Sequence, residues 1–213
     1  MDNCCEAKAG EIGAIRSRHE RALWVVLAVN ALMFIVEFGA GLVSGSSALL
    51  ADSLDMFGDS LVYGFSLFVV HRSLTWKARA GLLKGSFMAV FGVAVLFEAA
   101  FSIRTAAPPG VPTMAAVGTL ALVANALCFS ILWRHRADDI NLRSTWLCSR
   151  NDLIANAAVL GAAVLVAWSG SGWPDILVGL GIAILFLRTA AVVLRESFAE
   201  LGRARHGATQ GAG

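Results

Sequence analysis

The chain has 213 residues, 57% of them hydrophobic and only 15% charged, with a mean hydropathy of +0.70. That balance excludes an ordinary soluble domain, in which about 25% of residues are charged, and identifies an integral membrane protein. A formal net charge of +2, with no patch of interleaved basic and aromatic residues, also sets aside nucleic-acid binding.

In chain order, residues 1–21 form a polar tail without the basic start, short apolar core and small-residue cleavage site of a secretory signal. Its neighbouring Cys4 and Cys5, beside Asp2 and Glu6, are a weak candidate for capturing a soft metal ion; an incidental reduced pair explains them equally well. Six apolar runs follow, at about 22–43, 47–70, 80–102, 112–134, 148–168 and 175–194, each close to the roughly 20 residues that cross a bilayer as a helix. They predict an all-α membrane protein, a six-transmembrane-helix bundle over 22–195, closed by a short tail at 196–213. The separators, such as "APPGVP" and "SGSGWP", are rich in Gly, Pro or charge, as loops require.

Lys and Arg orient the bundle, because short loops that carry them stay cytoplasmic. Lys8, Arg16, Arg18 and Arg21 precede the first run, Arg72, Lys77, Arg79 and Lys84 surround the second connection, and Arg134, Arg136, Arg143 and Arg150 the fourth. The first, third and fifth connections hold Arg104 alone, so both termini are expected in the cytoplasm, in a plasma or bacterial inner membrane. All six tryptophans, Trp24, Trp76, Trp133, Trp146, Trp168 and Trp173, fall near span ends, where an interfacial aromatic belt forms.

Ionisable groups at membrane depth need a partner, a wet cavity or a task. Those here are Glu37, Asp52, Asp55, Asp59, Glu98, Asp152 and Arg188. In "ADSLDMFGDSLVYGF", Asp52, Asp55 and Asp59 stand at i, i+3 and i+7 and share one helical face. In "STWLCSRNDLIANAAVLG", Cys148, Asp152 and Asn156 recur every fourth residue and make a second polar stripe. If the second and fifth helices pack side by side, Asp55, Asp59, Cys148 and Asp152 surround one point. Three oxygens and a sulfur suit a tetrahedral, borderline-soft divalent ion such as zinc or cadmium.

Such a cage implies a mechanism. Three close carboxylates and a thiol cannot all carry charge in a low-dielectric interior, so the empty site holds protons. A divalent cation needs deprotonated ligands and expels those protons. A cage alternating between membrane faces then exchanges metal for protons, which makes the protein a secondary transporter rather than an enzyme, with no cofactor. Asp52, Asn156, Glu37 and Asn30 are candidates for holding the ligands or relaying protons, and Glu98 for pairing with a basic group. Cys128, within "ALCFSIL", reads as packing, and the small-residue runs "GAGLVSGS" and "GLGIA" as close helix contacts.

These stretches carry a resemblance. "SGSSALLADSLDMFGDSLVYGFSL" resembles the second transmembrane segment of the cation diffusion facilitator family, and "CSRNDLIANAAVLGAAVL" its fifth. The family pattern places a His or Asp four residues before an Asp on each helix; here these are Asp55 with Asp59, and Cys148, in the place usually held by His, with Asp152. The resemblance implies proton-coupled efflux of divalent transition metals by a homodimer. Cys148 favours softer ions, and the few residues after the sixth span, where most members carry a cytoplasmic domain, imply a short form whose dimer rests on membrane helices. The alternative is a membrane metal-binding or partner subunit that does not transport. An intramembrane aspartyl protease is disfavoured, because "MFGD" and "RNDL" lack the Tyr-Asp and Gly-x-Gly-Asp pair such proteases share.

Overall fold

A computed structural model describes residues 4–69, 74–134 and 142–210, with side chains over 24–64, 79–131 and 152–203. Six helices follow one another: α1 (Cys4–Ser44), α2 (Ser47–Val69), α3 (Leu74–Ser102), α4 (Val111–Arg134), α5 (Leu142–Ser169) and α6 (Trp173–Gln210). All six predicted apolar runs are therefore helical. α1 starts well before its apolar run and α6 continues well beyond its own, so both terminal segments extend spanning helices.

Among the described residues, five helices contain stretches long and apolar enough to cross a membrane: Trp24–Ser44, Arg79–Ser102, Val111–Ile131, Asp152–Ser169 and Trp173–Arg203. α2 matches them in length, at 23 residues, but Asp52, Asp55 and Asp59 lower its apolarity. The outer surface is one that only lipid suits, with Leu32, Phe97, Leu127 and Val164 all well exposed. Trp24, Trp168 and Trp173 are also exposed near span ends, as the belt predicts.

α2 is the central helix. Its seven consecutive residues from Ala48 to Leu54 are all buried, including Asp52 and Ser53, which is the signature of a helix surrounded on every side. Leu50, Ala51 and Leu54 pack with Met88 and Val95 of α3 and Ala183, Phe186 and Ala190 of α6. Ala48 and Leu49 pack with Met114 of α4 and Val159, Ala162 and Ala163 of α5. Met56 meets Met33 of α1 with Ala121 and Ala124 of α4. Phe34, Phe38, Phe57 and Phe91 add an aromatic cluster where α1, α2 and α3 meet, its closest centroids 4.9 Å apart.

The turns that reverse the chain are specified locally. Gly45 follows α1 at φ +68° and Ser46 N–H donates to Gly41 O at 3.0 Å, a Schellman ending. Gly170 follows α5 at φ +65°, its N–H donating to Val166 O at 2.9 Å. The α1–α2, α3–α4 and α5–α6 connections are tied at one end of the bundle, the connection end: Gly110 N–H donates to Ser44 O at 2.8 Å and Gly172 N–H to Ala106 O at 3.1 Å. The opposite end of α2, toward Val69, points the same way as the start of α1 and the finish of α6.

Candidate functional site

Four acidic or amide side chains meet around the upper half of α2. Asp52 is fully buried, and its Oδ2 accepts a hydrogen bond from Asn156 Nδ2 of α5 at 2.8 Å. Asn156, itself fully buried, turns its Oδ1 toward α4 and accepts from Asn125 Nδ2 at 3.1 Å. Asn125 thereby orients the Asn156 amide with its NH2 group toward Asp52. Asp52 Oδ1 is buried with no hydrogen-bond partner, and neither oxygen of Glu37 on α1 has one, although Glu37 is also 0% exposed. Asp52 and Asp55 lie close enough to Glu37 for their charges to act on it. Native interiors seldom leave buried polar atoms unpaired, which sets these three oxygens apart.

The Asp52–Asn156 bond joins the two polar stripes the sequence predicts and sets their register. α2 and α5 run in opposite directions here. From Asp52, Asp55 and Asp59 lie about 4.5 and 10.5 Å along α2; from Asn156, Asp152 and Cys148 lie about 6 and 12 Å back along α5, at 1.5 Å per residue. The stripes thus descend together from the buried pair toward the Val69 end of α2. Asp55, Asp59 and Asp152 are half-buried, in contrast to Asp52. Among the described residues no three His, Cys, Asp or Glu side chains are gathered tightly enough to hold a metal ion. The side chains of Cys148, Cys4 and Cys5 lie outside the described residues.

Other sequence candidates fall elsewhere. Asn30 is buried two turns before Glu37, where its Nδ2 donates to Val26 O at 2.8 Å and reaches Cys128 Sγ at 3.9 Å. Cys128 is buried among Val26, Val62 and Tyr63, in the packing role expected of it. Arg188 is exposed on α6, not buried among the carboxylates. Glu98, expected to pair with a base, accepts two hydroxyls instead: Ser47 Oγ at 3.0 Å and Ser102 Oγ at 2.9 Å.

A second acidic group, missed in the sequence, holds the connection end. Asp175, 1% exposed in the first turn of α6, receives Ser46 Oγ–H on Oδ1 at 2.6 Å, Ser47 N–H on Oδ2 at 2.7 Å and Ala48 N–H on Oδ1 at 3.2 Å. Ser46 Oγ in turn accepts Leu49 N–H at 3.1 Å. The first three N–H groups of α2, which have no partner within their own helix, are thus all satisfied by an N-cap serine and a carboxylate from α6. Gly179 makes this possible, since a Cβ there would stand 2.6 Å from Ser47 C. The signal was available: an acid in the first turn after "SGSGWP", and the polar Asn125 within "LVANALCF".

The cation efflux transmembrane domain matches residues 23–201, which takes in all six helices in whole or large part. The chain belongs to the cation efflux family. It is a multi-pass membrane protein of a family of secondary transporters. The zinc transporter ZitB of Escherichia coli (strain K12) is 30% identical over 195 residues, covering 85% of this chain and 62% of that protein. The metal cation efflux system protein CzcD of Cupriavidus metallidurans is 26% identical over 193 residues, covering 84% and 60%. A cadmium, cobalt and zinc/H(+)-K(+) antiporter of Bacillus subtilis (strain 168) is 26% identical over 201 residues, covering 85% and 64%. The chain therefore spans less than two thirds of the length of these relatives.

Proposed function

We propose that this cation efflux protein exports divalent transition-metal cations, zinc or cadmium foremost, across the plasma or inner membrane in exchange for protons. The observation that carries the reading is the buried, unpartnered set of oxygens on Glu37 and Asp52, at the head of an acidic stripe on the central helix. In this reading Asp55, Asp59, Cys148 and Asp152 bind the metal as substrate, through three oxygens and one sulfur. Asp52 and Glu37 take part in proton exchange, with Asn156 and Asn125 holding Asp52 in place. Metal entry displaces protons, since the ligands bind it only when deprotonated, and alternation of access makes the displacement vectorial. Six spans with both termini in the cytoplasm, and a homodimer formed through membrane helices, complete the arrangement. The names of the relatives, which include a zinc transporter and a cadmium, cobalt and zinc antiporter, support the substrate class.

The test is uptake into proteoliposomes across a panel of zinc, cadmium, cobalt, nickel and manganese, with a pH-sensitive dye inside. Saturable metal uptake accompanied by proton counterflow is the expected result. Metal entry without any proton movement rejects the exchange mechanism, and binding without transport selects the non-transporting subunit.

A further inference from the structure

The carboxylates of α2 differ in exposure. Asp52 is fully buried, whereas Asp55 and Asp59 are half-buried. Of the three, the carboxylate nearest the connection end is therefore the one shut away from the surface. About one turn of α2 nearer the connection end than Asp52 stands the tie between the first turn of α2 and the first turn of α6. Gly179 brings bare backbone against bare backbone at Ser47 and Ala48, while the neighbouring Val178 and Ile182 pack on the apolar cluster that holds Ala48 and Leu49. The tie is concentrated in one carboxylate with three donors, two of them backbone N–H groups. Hydrogen bonds to an ionised acceptor are among the strongest a protein makes, yet such a tie releases as a unit when the donors move together.

We propose that Asp175 is a positioning residue of the transport cycle: a latch holding α2 to α6 at the connection end, whose three bonds must part before solvent reaches Asp52 and the acidic stripe from that side. This rests on the transport reading above, but the latch itself has a readout that needs no transport. A static helix cap would leave the connection end closed throughout the cycle; a latch divides the two states of the bundle, as the contacts of one state must break to form the other.

The experiment uses Ala48→Cys, a fully buried position inside the latch, and a charged, membrane-impermeant maleimide applied to vesicles of each orientation. In the otherwise native chain labelling at Ala48→Cys is slow. Adding Asp175→Asn, which removes the charge and presents an amide to donors, is expected to raise the rate roughly ten-fold from the connection side only, the equivalent of about one charge-assisted bond. Cys128, buried in a different cluster, reports general loosening and should stay unlabelled. An unchanged rate at Ala48→Cys overturns the latch, and so does a parallel rise at Cys128. A disulfide across Ser46→Cys and Asp175→Cys gives the complementary result: zinc uptake into proteoliposomes should stop on oxidation and return on reduction, and full uptake with the crosslink formed also overturns the latch. If the native chain moves no metal at all, the transport reading fails while the labelling rates still decide the latch.

Discussion

Asp175 and the half-buried Glu98 at one end of α2, and the buried Glu37 and Asp52 deeper along it, are two groups of acids treated in opposite ways. The first group is satisfied: Asp175 accepts three hydrogen bonds and Glu98 two, all from the donors around the α2 N-terminus and the end of α3. The second is left with three oxygens that meet no donor. Burying a charge costs several kcal/mol unless it is paired or hydrogen-bonded, so the satisfied group adds to stability and the unsatisfied one subtracts from it. Such a loss at membrane depth is what the proposed exchange of cation and protons would offset. Burial alone does not separate a carboxylate that ties two helices together from one left without donors; the inventory of donors does.

The comparison breaks most sharply at the acidic stripe. Asp59→Ala or Asp152→Ala should abolish metal efflux, by a hundred-fold or more, while the protein still inserts, and near-native efflux in either variant would remove that residue from the site. Asp175→Ala should instead cost about 3–5 kcal/mol of stability, the sum expected when two N–H groups and a hydroxyl lose an ionised acceptor, seen as a fall in the thermal midpoint of the detergent-solubilised protein. Glu37→Gln should show the reverse pattern: no loss of thermal stability, because no hydrogen bond is given up, and proton counterflow reduced in the dye assay. A midpoint drop for Glu37→Gln as large as that for Asp175→Ala erases the distinction between the groups. Gly179→Ala tests the seam between them. Its new methyl group would overlap Ser47 backbone and should cost about 1–3 kcal/mol as α6 backs away. The smallest effect is expected of Cys148→His, a few-fold shift of preference from cadmium toward zinc in the metal panel; unchanged selectivity means the thiol is not a ligand.

Much of the fold was legible because bilayer thickness and backbone hydrogen bonding leave a chain of apolar runs little choice but helices. The six runs and the two polar stripes could be read by counting residues. Glu98 shows where counting stops. Its charge invited a basic partner, yet two serine hydroxyls, one from the neighbouring helix, serve it. Arg188, an ionisable residue of the sixth span, faces outward because the phase of α6 that is buried carries Ala183, Phe186 and Ala190. Asn125 and Asp175 went unremarked because a single polar residue in an apolar run has no pattern of its own; each acquires meaning only from the side chain across the interface.

What the sequence by itself determined is the local chemistry: helix positions, the face on which Asp52, Asp55 and Asp59 align, and a pair of polar stripes on the second and fifth spans. These follow from spacing along one helix, or from bilayer constraints acting on each segment separately. Only the tertiary structure decided that α2 is the central helix, that Asp52 meets Asn156 while Glu37 meets no donor, and that Asp175 closes one end of the bundle. Those outcomes depend on which residues, more than a hundred positions apart in the cases of Asp52 with Asn156 and Ser46 with Asp175, face each other once the helices pack. Periodicity within a segment carries no information about its partner.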